Sequence, residues 1–237
     1  MIHTKFKAIV FDFDGVILDS EHLHYKAYCP VFDKIGLAIT YEEYAAENYI
    51  GLSGKQIFSQ LLFNKGYRFS TKKINDLFNM KIECYCDIVQ HTYSLLLIKD
   101  IRQYCAQILK DGNKLAICTG MAKQEINFVL AKLNSHRLLP SFHTIVSADD
   151  VRNAKPSPEG YLLAAERLQV SPKECLVIED SPHGVEAAKR AGMYTAAILT
   201  THEKHQLTKA DKIISSFADL LGATDNEDFV ANSNSLD

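Results

Sequence analysis

The sequence predicts an α/β fold, a Rossmann-like parallel sheet core carrying an inserted α-helical cap domain. Three observations carry this reading. Short apolar runs, each the length of a buried strand, alternate with stretches of helical periodicity. One long stretch near the N-terminus, 20–91, breaks that alternation, with helical periods and polar loops but no clear buried strand. The 237 residues, 47% of them hydrophobic, are enough for one large α/β core with a smaller insertion.

Taken in order, the strand candidates are KAIVFDF, KLAICTG, HTIVSADD, CLVIEDS and YTAAILT. Five such runs separated by helices give the βαβ pattern of a parallel sheet. Residues 122–133 place Ile126, Val129, Leu130 and Leu133 at helical spacing, and 158–168 do the same with Tyr161, Leu162, Ala165 and Leu168. A helix over 185–191 ends at Gly192, a residue suited to a left-handed cap before the last strand. The helical stretch leaves the core directly after the first strand, so it should lie over the carboxyl ends of the strands, where open α/β sheets bind ligands. Core 1–19 and 92–223, cap 20–91 and a flexible acidic tail 224–237 are the expected units.

Composition narrows the function. A formal net charge of -3 with mixed signs lacks the basic stripe that tracks a phosphate backbone, so nucleic acid is not the expected partner. The first residues lack a signal peptide's long apolar stretch, and no window reaches the roughly 18 apolar residues that span a bilayer. Six scattered cysteines lack zinc spacing and read as reduced, mostly buried thiols; Cys84 and Cys86 read as two helix residues rather than a metal or redox site. A cytoplasmic protein, without nucleic-acid or membrane partners, is expected. No coiled-coil period fixes an oligomer, and a monomer or weak homodimer is the expectation.

Acidic residues end two of the apolar strands. Asp12 and Asp14, two apart after IVF, fall on one side of the strand and repel each other. A solvated strand end is the plain alternative; a bound hard cation, which prefers oxygen ligands, is the reading that explains the repulsion. Glu179 and Asp180 close LVIED before a helix start, where an N-cap role would account for Asp180 alone. Thr119 and Gly120 close a third strand, either as an ordinary cap or as a phosphoryl-binding turn. Lys155, in NAKPSP, sits in a proline-stiffened loop, where a lysine is usually exposed.

In this order, D-x-D-G, T-G, K-P and E-D resemble the haloacid dehalogenase-like hydrolase superfamily, and KPSPEGY with VIEDSPHGVEAAKRAGM resembles its branch of β-phosphoglucomutase, CbbY-like proteins and sugar-phosphate phosphatases. The resemblance implies the corresponding fold and cap, and a Mg2+-dependent phosphatase of a small phosphorylated metabolite, with a sugar phosphate as one candidate. Asp12 would attack phosphorus and form an aspartyl-phosphate. Asp14 would act as general acid and base, a task expected to need a raised carboxyl pKa. Mg2+ would be held by Asp12, Asp180 and the backbone carbonyl of Asp14, with Glu179 orienting metal-bound water. Thr119, Gly120 and Lys155 would hold the phosphoryl group. The acid at position 14 speaks against dehalogenation, because dehalogenating relatives lack it.

In the cap, Asp19, Ser20, Glu21 and His24 resemble the family's lead-in, and IGLSGK resembles its specificity loop. Gly51, Ser53, Lys55 and His24 are therefore candidate substrate-binding residues. His24 has a packed helix position as its alternative, and Ser20 reads as a hinge. A phosphosugar mutase is the second functional reading, weakened because Ile50 and Gly54 stand where a mutase's resemblance pattern calls for Lys and Arg. A binding protein that has lost turnover is the third.

Overall fold

The computed structural model describes residues 1–45, 49, 52–135 and 139–221. Tail residues 224–237 lie outside them, as do Ile50 and Gly51 of the specificity loop.

The strands are β1 (Ala8–Phe11), β2 (Lys114–Cys118), β3 (Thr144–Val146), β4 (Cys175–Glu179), β5 (Tyr194–Ile198) and β6 (Lys212–Ile214). They form one all-parallel sheet in the order β3-β2-β1-β4-β5-β6. The five apolar runs of the sequence are β1 to β5. The sixth strand leaves no such run, being only three residues long and opening on a lysine.

Successive residues of a strand face opposite sides, and here both sides are covered, so the strands are apolar throughout. Ile9, Phe11, Leu115, Ile117 and Ile178 face one layer, built from α5 (Ile101–Lys110), α6 (Lys123–Ser135) and the short α9 (Ala218–Leu221). Ala8, Val10, Ala116, Cys118 and Val177 face the other, built from α7 (Glu159–Leu168) and α8 (Pro182–Arg190). Each large apolar side chain fully withdrawn from water contributes about 1.5–3 kcal/mol. Gly192 follows α8 with φ +73°, the left-handed conformation that only glycine adopts without a Cβ penalty.

Between β1 and β2 lie α1 (Glu21–Asp33), α2 (Tyr41–Tyr44), α3 (Gly54–Asn64) and α4 (Thr71–His91). They enclose a separate apolar cluster around Tyr28, Phe32, Phe58, Leu61, Phe78 and Ile82. α4 buries Leu77, Phe78, Lys81, Ile82, Tyr85 and Val89 at helical spacing, so a lysine occupies the apolar stripe. Cys84 and Cys86 are helix residues of α4, and the six cysteines are unpaired thiols. No helix among the described residues is long and apolar enough to cross a membrane.

The sheet order also places the site. After β1 the chain runs outward through β2 to β3, then returns to the other side of β1 for β4. Ligands bind outside the carboxyl ends of strands where the order switches in this way. Asp12 follows β1, Asp180 follows β4, and their strands are paired neighbours.

Candidate active site

Parallel pairing of β1 with β4 brings Asp12 level with the end of β4, and the Asp12 amide donates to the Ile178 carbonyl at 3.0 Å. Asp12, Glu179 and Asp180 are all buried, and each offers a carboxylate oxygen within 4.8 Å of the other two. Lys155 is buried beside them rather than exposed, its Nζ 2.6 Å from Glu179 Oε1 and 3.0 Å from Asp12 Oδ1. The usual exposure of a lysine before proline is overridden by the attraction of two desolvated carboxylates.

Glu179 has no exposed surface. It accepts from Lys155, from the Tyr161 hydroxyl at 2.6 Å, and from the amides of Asp180 and Ser181 and the Ser181 hydroxyl. Its carboxylate rests against Gly184 on the first turn of α8, where a Cβ would lie 1.7 Å from Oε1. Burial alone would raise its pKa, but Lys155 and the other donors outweigh burial and hold it below the usual range. Asp12 has fewer donors. Burial, with repulsion from Glu179 and Asp14, pushes its carboxyl up to about 8 against the attraction of Lys155. Asp180 is pushed well above its ordinary value by burial and then by Glu179 and Asp12, against a hydrogen bond from Thr201.

The donor set fits a hard divalent cation. Three buried carboxylates face one ammonium, and all of the offered atoms are oxygens.

Asp14 stands on the cap side. His24 Nε2 lies 3.1 Å from Asp14 Oδ1, and the Ser20 hydroxyl donates to the same oxygen. Ser20 precedes α1 yet makes no side-chain cap, because its hydroxyl is directed at Asp14. Where a raised Asp14 pKa is expected from the sequence, burial does push it up, but the hydrogen bonds from His24 and Ser20 and the nearby Lys81 ammonium bring it below the usual value.

Behind His24, Lys81 donates to Nδ1 at 2.8 Å and to Glu125 Oε1 at 2.6 Å. An ammonium only donates, so His24 accepts at Nδ1 and presents an N–H at Nε2 to Asp14. Lys81 and Glu125 are each 1% exposed, and Glu125 Oε2 also accepts from the Ala122 amide at the start of α6. A chain of polar contacts thus runs from Asp14 through the cap to the core helix that follows the Thr119–Gly120 turn. Neither Lys81 nor Glu125 belongs to a motif; their signal in the sequence is a lysine inside the apolar stripe of α4.

Thr119 and Gly120 lie at the carboxyl end of β2. Thr119 Oγ1 accepts from the Met121 amide at 3.1 Å. A Cβ on Gly120 would lie 3.0 Å from the Leu52 carbonyl oxygen of the cap, so the missing side chain lets cap and core approach. Ser53 is the N-cap of α3, accepting from the Gln56 amide and donating to its side chain at 2.8 Å. Lys55 is exposed and lines an outer groove with Ser53 and Arg152. Neither lines the chamber that holds Asp12, Asp14, His24, Lys155 and Asp180. Glu21 and Tyr44 do line it, with the Tyr44 hydroxyl 2.5 Å from Glu21 Oε2. Burial and the Asp14 charge push the Glu21 carboxyl up.

Residues 9–198 match the family model described as haloacid dehalogenase-like hydrolase. The phosphorylated carbohydrates phosphatase of Thermotoga maritima is 33% identical over 190 residues, covering 79% of this chain and 82% of its own. Among solved structures, β-phosphoglucomutase from Clostridium difficile aligns with TM-score 0.79 and 27% identity, covering 91% of this chain and 93% of its own. CbbY from Rhodobacter sphaeroides, solved in complex with phosphate, aligns with TM-score 0.79 and 28% identity over 91% of this chain and 96% of its own.

Proposed function

The chain belongs to the haloacid dehalogenase-like hydrolase family, and from that premise we propose that it is a Mg2+-dependent phosphatase of a small phosphorylated metabolite, working through phosphorylated Asp12. The observation that carries the reading is the buried group of Asp12, Glu179, Asp180 and Lys155 at the switch point of the sheet, with Asp14 held opposite by His24 and Ser20.

Asp12 is the nucleophile. Its attack on phosphorus splits one difficult displacement into two. Mg2+, held by Asp12, Asp180 and the backbone carbonyl of Asp14, would supply charge neutralisation for the attacking carboxylate and the phosphoryl oxygens. Glu179, fixed by its five donors, holds Lys155 where its ammonium reaches both Asp12 and the transferring group. Thr119 and the Gly120 amide complete the phosphoryl cradle, spreading the charge that grows in the transition state.

Asp14 protonates the leaving oxygen and then takes a proton from the attacking water. His24 and Ser20 favour its carboxylate, the form required in the second half. A phosphate dianion nearby repels that charge and loads the proton required in the first.

The cap spans 20–91 on this reading, and it closes the site. The chamber beneath it measures about 50 Å3, room for a few waters, so a sugar phosphate enters with the cap parted from the core. A mutase would need charge for a second phosphate, whereas the two lysines lining the chamber are tied to Glu125 and to Asp12 and Glu179. Hydrolysis is therefore favoured. Phosphate release from a broad panel of phosphorylated metabolites, with Mg2+ and with chelator, tests the reading. Chelator-sensitive hydrolysis of one compound class supports it; isomerisation of sugar phosphates without release transfers the case to the mutase, and inertness ends the enzyme claim.

A further inference from the structure

We propose that Thr201 and His202, on the loop after β5, position the Asp180 carboxylate for its divalent cation. The inference rests on the phosphatase reading and adds two residues to the metal site that touch neither metal nor substrate.

The Thr201 hydroxyl donates to Asp180 Oδ2, and its oxygen lies 2.9 Å from His202 Nδ1. His202 Nδ1 is also 2.9 Å from the Asp180 carbonyl oxygen. One hydroxyl carries one proton, so the consistent arrangement is a relay. The His202 Nδ1–H donates to the Asp180 carbonyl and the Thr201 oxygen, and the Thr201 O–H donates to the carboxylate. Oδ2 and the Thr201 methyl both rest against the backbone of Gly15, where a Cβ would lie 2.0 Å from Oδ2 and 2.9 Å from Thr201 Cγ2. Gly15 has φ +72°, so both its conformation and this contact call for glycine.

Asp180 Oδ2 is thereby held by the Gly15 backbone and the Thr201 hydroxyl together. Rotation of the carboxylate is restrained while one of its oxygens stays within 4.8 Å of carboxylate oxygens of Asp12 and Glu179. Without the grip, repulsion from those two carboxylates favours turning away. The cation would then have to reorder Asp180 on binding, which lowers affinity without altering any ligand.

The test is calorimetric titration of Mg2+ into chelator-treated wild type, Thr201→Val, Thr201→Ala and Thr201→Ser. Valine keeps the shape and removes the donor, alanine removes it without branching, and serine keeps the hydroxyl. Val and Ala should weaken Mg2+ affinity about tenfold or more, with Ser within about twofold of wild type. The Mg2+-induced rise in Tm should shrink in step, and kcat should recover at saturating Mg2+. Wild-type affinity in Val and Ala, or an equal loss in Ser, overturns the positioning role. A wild type that binds no Mg2+ overturns the metal reading beneath it as well.

Discussion

Replacing Lys81 with Met should be among the most damaging single changes outside the phosphate site. Its ammonium is 1% exposed, 2.6 Å from the equally buried Glu125, and 5.0 Å above the Tyr28 ring. Removing it leaves a carboxylate in the core with the Ala122 amide as its remaining donor. Breaking a buried pair from one side costs about 3–5 kcal/mol. Against a total stability of about 5–15 kcal/mol that is a large fraction, so the variant should melt at markedly lower urea. Glu125→Gln should cost less, because Lys81 keeps His24 and the aromatic faces of Tyr28 and Tyr85. The double variant Lys81→Met with Glu125→Leu should cost well below the sum of its singles, since matched apolar side chains replace a buried pair at little net loss. Urea unfolding of wild type, Lys81→Met, Glu125→Leu and their double variant closes the cycle. Singles that each cost under about 1 kcal/mol, or a double equal to their sum, would refute the reasoning.

Three further outcomes follow from the site. Asp14→Asn should lose more activity on alkyl phosphates than on p-nitrophenyl phosphate, since a good leaving group needs no proton; equal losses in kcat/KM would remove Asp14 as the acid. Asp12, raised from 3.8 to about 8, binds its proton more tightly folded than unfolded, so its stabilising contribution is complete below the unfolded value and is lost as pH rises through about 8. Mg2+ must displace that proton, so the Mg2+-induced rise in Tm should be larger near about pH 8.5 than near about pH 6, and a pH-independent rise would contradict the assignment. Gly184→Ala would drive a Cβ into the immobile Glu179 carboxylate and should destabilise by about 1–3 kcal/mol in urea melts, whereas Gly36→Ala, in open space, tests only backbone strain.

Much of this architecture was legible because burial on both faces leaves an unbroken apolar signature in β1 to β5. What escaped was short, or depended on pairing. β6 is three residues with a lysine at its start, too little for a pattern. Strand order, which makes Asp12 and Asp180 neighbours, is a tertiary fact that no local period encodes. Lys155 is singled out only by the family resemblance, because a lysine before proline gives by itself no hint of two buried carboxylates far along the chain. Ser53 carries two signals at once: the loop resemblance points to a ligand, and S-x-x-Q is also a capping box, in which its hydroxyl faces Gln56. Lys81 was visible as a charge in an apolar stripe, but its partner Glu125 sits 44 residues away and could be found only in three dimensions.

The most direct test of the central claim is acid quenching of the enzyme during turnover of a substrate found in the metabolite panel, followed by peptide mass analysis. A phosphoryl group on the Asp12 peptide, absent from Asp12→Asn and from chelator-treated enzyme, is the predicted result. Sustained phosphate release with Asp12 unmodified, or from Asp12→Asn at near wild-type rate, would contradict it.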